Sequence, residues 1–278
     1  MSLRTISLRL LALITLTAAT LAASPATAQI LISEVNSNGV GGDFFELYNY
    51  GGSTVDLGGY LWTDNSAPDW NGARTYTLNT FSLAPGQAAV FVSDGGQNGP
   101  GNDAFVTNWG SPLTLSAMGS FTGPTPPENN TGRGFGQNDA VLLWDPTGNF
   151  VSGVNYSTTD LTVTSVGGTS TLAPFNRVGG GTSLGGHTGL AGGGTAAQQS
   201  LIWDPTSDPT APLYTAASSV GLYGSFESLA SVTTIGSPGM VNAVPEPSSL
   251  MLAAFAGLGL AGYGARRRRS RKATPAVA

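Results

Sequence analysis

Residues 43–64 read DFFELYNYGGSTVDLGGYLWTD. Two short runs of aromatic and branched residues, Phe44 to Tyr50 and Tyr60 to Thr63, flank a stretch of Gly, Ser, Thr and Asp, the pattern of strands joined in a β-hairpin. Side chains alternate along a strand, so Phe45, Leu47 and Asn49 share one face and Phe44, Glu46 and Tyr48 the other. Phe45 and Leu47 are assigned to the core. Glu46 then sits among aromatic neighbours, and its purpose is either chemistry or architecture. As an architectural group it accepts hydrogen bonds from loop amides and steadies the adjoining turn. Glu34, in Ile30-Leu31-Ile32-Ser33-Glu34-Val35-Asn36, invites the same reading, sharing a face with Ile32 and Asn36.

Similar runs continue outward. Ile30 to Val35, Tyr76 to Leu78, Ala88 to Val92, Val141 to Trp144, Phe150 to Tyr156 and Leu161 to Val166 are rich in β-branched or aromatic residues and are bounded by Gly, Pro, Asn or Asp. No amphipathic helix of useful length interrupts them. The expected fold class is all-β, a sandwich or barrel. Asp145-Pro146-Thr147-Gly148 has the residue preferences of a type I turn and joins two of these runs as a hairpin. Leu143-Trp144-Asp145-Pro146-Thr147 is echoed by Ile202-Trp203-Asp204-Pro205-Thr206. A Trp-Asp pair suits either a turn or an aromatic platform for a sugar, and turn chemistry accounts for the residues without a ligand. No fixed period marks a repeat architecture.

The ends of the chain carry a different character. Arg4 and Arg9 precede an uncharged apolar run from Leu10 to Ala23, and Ala26-Thr27-Ala28 supplies small residues for cleavage, so residues 1–28 read as a signal peptide with Gln29 the first mature residue. Near the other end, Val244-Pro245-Glu246-Pro247 is followed by an uncharged stretch, residues 248–265, and then by Arg266, Arg267, Arg268, Arg269, Arg271 and Lys272. As a helix, that stretch is long enough to cross most of a hydrocarbon core about 30 Å thick, with the cations retained on the cytoplasmic side. Gly257-Leu258-Gly259-Leu260-Ala261-Gly262 inside it matches the dinucleotide-site spacing, but lacks the strand and acidic residue that such a site requires.

Together, the PEP motif, apolar helix and basic tail of residues 243–278 resemble the PEP-CTERM sorting signal of exopolysaccharide-producing Gram-negative bacteria. The resemblance implies recognition by an exosortase-type membrane protease, transient anchoring in the inner membrane, and delivery to the cell surface or extracellular matrix. A plain membrane anchor is the alternative.

From Gln29 to Pro247 the chain keeps three basic residues, Arg74, Arg133 and Arg177, against all sixteen acidic ones. Such a surface repels phosphate backbones, which excludes nucleic acid as a partner. Extracellular polysaccharide and surface proteins remain as candidates. Cysteine is absent, which rules out disulfides, zinc-thiolate sites and a cysteine nucleophile. The only histidine, His187, lies in Gly185-Gly186-His187-Thr188-Gly189 and reads as a hydrated loop residue.

Ile30 to Asn36, Phe44-Phe45-Glu46-Leu47-Tyr48-Asn49 and Val55-Asp56-Leu57-Gly58-Gly59-Tyr60 resemble the opening of the lamin-tail domain, an immunoglobulin-like sandwich. Phe81-Ser82-Leu83-Ala84-Pro85-Gly86, Asn138-Asp139-Ala140-Val141-Leu142-Leu143, and Ser237-Pro238-Gly239 with Asn242 come next, in the family's order. The resemblance implies one lamin-tail-like domain over residues 29–242, with Glu34, Glu46 and Asn49 as structural rather than catalytic residues. Family members are shorter, so residues 94–135 and 157–237 are expected to be expanded loops or extra strands grafted onto the sandwich.

Three functions are compatible with these features. The chain is expected to be a non-enzymatic structural or binding protein of the cell surface, without a cofactor. A polysaccharide hydrolase is the second reading, with Glu34 and Glu46 as a carboxylate pair if their spacing suits glycosidic chemistry. A calcium-dependent adhesion module is the third. It would use Asp94, Asn98, Asn102 and Asp103, oxygen ligands on a bendable loop that matches neither the EF-hand loop nor the nonapeptide calcium repeat.

Overall fold

The computed structural model describes residues 29–36, 42–64, 69–72, 74–93, 102–123, 135, 139–157, 159–173, 198–217 and 219–242. The chain divides into two compact units, Met1–Asn242 and Ala243–Ala278, and every described residue belongs to the first. The signal peptide, the sorting signal, His187, Arg133, Arg177, Asp94 and Asn98 lie outside the described residues.

The strands of the first part are β1 (Ile30–Asn36), β2 (Phe44–Asn49), β3 (Val55–Asp56), β4 (Leu61–Asp64), β5 (Tyr76–Leu78), β6 (Ser82–Leu83) and β7 (Ala88–Val92). Helix α1 (Asn102–Trp109), β8 (Phe121–Thr122), β9 (Ala140–Trp144) and β10 (Phe150–Asn155) come next. The remainder forms β11 (Leu161–Ser165), β12 (Gly168–Leu172), β13 (Gln198–Gln199), β14 (Leu201–Trp203), β15 (Tyr214–Ala216), β16 (Phe226–Ser228) and β17 (Ser231–Gly236).

Two five-stranded sheets carry the architecture, ordered β15-β14-β1-β2-β7 and β10-β9-β4-β5-β8. Between them, Phe45 of β2 lies 4.8 Å from Trp62 of β4 and stacks on Phe91 of β7 at 5.2 Å. At one margin the Ile32 amide donates to Ser152 Oγ of β10 at 3.0 Å, tying the two sheets together. The all-β expectation holds, and the sheets are consistent with an immunoglobulin-like sandwich. The expected hairpin of Phe44–Tyr50 with Tyr60–Thr63 is corrected: β2 pairs with β1 and β7, β4 pairs with β5 and β9, and the connection between them crosses from one sheet to the other.

Where they are described, the long segments expected as loops or extra strands form a helix and further strands that add layers. Phe44, on the outer face of the first sheet, packs edge-on against Phe105 and Trp109 of α1 at 5.2 and 5.6 Å. Val90, Leu113 and Met118 complete that cluster. The hairpin β11–β12 covers the outer face of the second sheet, where Leu161, Val163 and Leu172 pack with Ala140, Leu142 and Trp144. Both faces of the central strands are therefore buried, and β1 and β2 are buried along their whole length.

Helix α1 corrects the reading of this region. Asn102 and Asp103, expected on a bendable loop, form the first turn of the helix. Eight residues are too few to show a helical period, and such a helix owes its stability to the packing of Phe105 and Trp109 rather than to propensity.

The turn reading accounts for the Trp-Asp pairs. Asp145 Oδ1 accepts from the Thr147 amide at 2.8 Å, Thr147 Oγ1 at 2.7 Å and the Asn149 amide at 2.9 Å. Burial opposes the charge of Asp145, but these hydrogen bonds with Asn149 and Thr147 outweigh it and hold the carboxyl at about 2. Asp204 receives the same two groups from Thr206. A third copy, Asp208-Pro209-Thr210, repeats the arrangement and was not singled out by the sequence reading. Trp144 and Trp203 are buried, with their indole N–H groups donating to the Thr164 carbonyl and to Ser207 Oγ, so neither offers a face to a sugar.

Candidate functional site

The pairing of β1 with β2 sets Glu34 directly opposite Glu46. Ile32 pairs with Leu47 and Glu34 with Glu46, so Ser33 is an extra residue and β1 bulges there. The bulge corrects the expected face sharing. Ile32 lies with Leu47 on the side that faces the second sheet, whereas Glu34 and Asn36 lie with Glu46 and Phe44 on the other. Ile202 of β14 and Val90 of β7 flank the two glutamates in register.

Both glutamates have no exposed surface. Burying a carboxylate is costly unless it is paired or hydrogen-bonded. The sole basic residue among those described, Arg74, lies in the β4–β5 connection, so the carboxyls are satisfied by neutral donors instead. For Glu34 the Ser237 amide donates to both oxygens at 3.0 Å, and Ser237 Oγ donates to Oε2 at 2.7 Å. The Ser200 hydroxyl also bonds Glu34, and in turn accepts from Asn36 Nδ2 at 2.8 Å. For Glu46, Ser33 Oγ donates to Oε1 at 2.6 Å and the Gly239 amide donates to Oε2 at 2.6 Å. The amide expected from the turn after β2 thus comes from near the chain's other end.

Two glycines make this closeness possible. Gly239 adopts φ 80°, where other residues are strained. At Gly236 a Cβ would stand 2.5 Å from Glu34 Oε1 and from Ser200 Oγ and 2.9 Å from Trp109, so only glycine fits between them.

Burial is the main cause that pushes Glu34 up, to about 7, against the opposing hydrogen bonds of Ser200 and Ser237. Glu46 is pushed to about 8 by burial and then by the charge of Glu34. The two titrate as a pair. Each binds its proton more tightly folded than unfolded, so the stability they contribute is full below the ordinary value of 4.5 and is lost as pH rises through about 8. Urea denaturation between pH 5 and 9 is expected to show stability falling toward the alkaline end, with the fall reduced in Glu46→Gln.

Directly opposed residues on antiparallel strands carry Cβ atoms about 4.5–5.5 Å apart, which brings the carboxyls near glycosidase spacing. Their complete burial keeps a polymer from reaching them. A narrow crevice of about 10 Å³, room for about one water, approaches no nearer than the capping hydroxyl residues Ser33 and Ser237, which line it with Trp203, Tyr223, Met240 and Asn242.

Asn49, the third structural residue of the sequence reading, holds the loop after β2. Its Nδ2 donates to the Ser53 and Leu83 carbonyls at 2.8 and 2.9 Å, and its Oδ1 accepts from the Gly51 amide at 3.0 Å. Of the calcium candidates, Asp103 is exposed on α1, and Asn102 Nδ2 lies 3.5 Å from the Gly119 carbonyl. Among the described residues no group of three or more acidic, His or Cys side chains is arranged to hold a metal ion. Asp43, Asp64 and Asp139 gather near the buried Tyr156 hydroxyl, which burial and their charges push well above its ordinary value.

Ser33, Asn36, Ser200, Gly236, Ser237 and Gly239 were missed as site residues. Ser237-Pro238-Gly239 drew notice only as a resemblance, since nothing local connects it to glutamates some two hundred residues earlier.

Residues 23–158 match the family model of the Lamin Tail Domain. A comparison with curated proteins found no match. The lamin tail domain is an immunoglobulin-like structural family, and the matched stretch runs from β1 through β10. Strands β14 and β15 lie beyond the match yet complete its first sheet, and the Glu34–Ser237 bonds join the matched stretch to the C-terminal end of the domain.

Proposed function

We propose that the chain is an exported, non-enzymatic structural or binding module of the cell surface or extracellular matrix, delivered by an exosortase-type system acting on residues 243–278. One observation carries the reading: the two glutamates that sequence offers to chemistry are sealed on the outer face of the first sheet, with no exposed surface, and hold the chain's own segment Ser237–Gly239. That segment ends the folded domain just before Val244-Pro245-Glu246-Pro247, the order expected of a cargo domain followed by a removable address. The same burial speaks against a hydrolase. The acidic, cysteine-free composition suits an extracellular setting, with polysaccharide or surface proteins as partners.

Intact-mass measurement of surface-extracted protein, paired with a binding screen of that material on glycans and whole cells, tests the reading. The expected mature species lacks residues 1–28 and the basic tail 266–272 and binds without turnover. Retention of Arg266 to Lys272 in most molecules points to a plain membrane anchor. Release of reducing sugar from any glycan overturns the non-enzymatic assignment.

A further inference from the structure

The final six described residues, Ser237–Asn242, belong to no strand. They pass from buried at Ser237 and Pro238 to exposed at Asn242. Ser237 N, Ser237 Oγ and Gly239 N tie this strap to the sandwich, and all three donate to Glu34 or Glu46. The strap also forms one wall of the crevice, through Met240 and Asn242, while Ser33 and Ser237, which cap the two carboxyls, lie along it. Across the crevice stands Tyr223, a non-glycine residue at φ 50° and ψ 30° whose hydroxyl bonds the Asp204 carboxylate. A bulky side chain in that backbone region is strained, and such strain persists only where its surroundings impose it.

We infer that Glu34, Glu46 and the strap form a proton-controlled latch: while the pair keeps a proton the strap is held down, and when both carboxyls are charged it lifts and opens the crevice to water. The geometry supplies each part. Two carboxylates on adjacent strands, in a dry site, repel one another at close range. No cation compensates them from the surrounding described elements. The titratable groups carried by the elements packed around the pair are Asp103 of α1, Asp204 after β14, Tyr214 of β15, Tyr223, and Glu227 of β16, all acids or phenols. The strands cannot separate without breaking the sheet. The strap can leave by breaking its hydrogen bonds to the pair and by withdrawing buried Ser237 and Pro238, and Gly239 from beside Leu113, and water entering along the opened crevice then solvates both charges. The raised proton affinity of both glutamates places the transition between neutral and mildly alkaline pH. Such release would free the segment preceding Val244, so the latch extends the proposed function but does not depend on it.

The test uses the full chain with Asn242→Cys carrying a thiol-coupled fluorophore, which is site-specific because the chain has no cysteine. Trp203 of the crevice serves as quencher. The expected result is an intensity rise of at least twofold between pH 6 and 9, with the far-ultraviolet spectrum unchanged, so that the strap leaves while the sandwich stays folded. In Glu46→Gln the rise should vanish, because Glu34 can then ionise without repulsion; Glu34→Gln serves as the second variant should the first fail to fold. Flat intensity in the otherwise native chain overturns the latch, as does an unshifted transition in either folded variant. Purified protein is read directly, so failure of the sorting assignment leaves this result intact, and the reverse holds too.

Discussion

Trp109→Ala is expected to lower the unfolding free energy by about 3–5 kcal/mol, the range for truncating a large buried aromatic. Trp109 has no exposed surface and meets Phe44 at 5.6 Å, Phe226 at 5.7 Å and Phe105 at 6.1 Å. Its removal empties the junction between α1, the outer face of the first sheet and β16. Domains of this kind are stable by only about 5–15 kcal/mol, so much of the total is at stake. Trp109→Phe sharpens the test. The indole N–H of Trp109 is buried without a partner, so phenylalanine removes an unsatisfied donor and leaves a smaller void. It should cost well under half as much as alanine. Urea midpoints for the three proteins decide the matter, and a Trp109→Ala variant within about 0.5 kcal/mol of wild type, the scatter of surface changes, would mean that α1 does not cover the sheet.

Glu34→Ala is the second large effect. It strands the Ser237 amide, the Ser237 hydroxyl and the Ser200 hydroxyl in a buried site, and unpaired buried donors cost about 1–3 kcal/mol each. Part of this is returned, because a buried polar carboxyl disappears. A net loss of about 3 kcal/mol is expected at pH 6. Glu34→Gln keeps an acceptor oxygen and should cost less. Its cost should also shrink at pH 8.5, where the wild type is itself weakened by ionisation of the pair. A catalytic glutamate would behave in the opposite way, with stability unchanged or improved on its removal.

Much of the sandwich was legible in local sequence. Ile30–Asn36, Tyr76–Leu78 and Ala88–Val92 form strands because branched and aromatic side chains alternate between turn residues, a signal contained in a few positions. Three features were not. The bulge at Ser33 leaves no mark in the sequence, yet it turns Ile32 away from Glu34 and brings Ser33 Oγ onto Glu46. Helix α1 sits in a polar passage and exists because Phe105 and Trp109 find Phe44, a tertiary cause that propensity does not carry. The donors to Glu34 and Glu46 come from Ser237 and Gly239, and a contact spanning about two hundred residues has no local signature. The carboxylates could therefore be found from sequence, but not what they hold.

Glu34 is the group that grips the strap at Ser237, and a double-mutant cycle on that pair tests the latch and the sealed site together. Glu34→Ala, Ser237→Ala and the double variant would be compared with wild type by urea denaturation at pH 6. The predicted coupling energy is about 1 kcal/mol, as expected for a buried hydrogen bond. Effects that add to within about 0.3 kcal/mol would show that the two residues do not meet, and would contradict the grip of Glu34 on the strap.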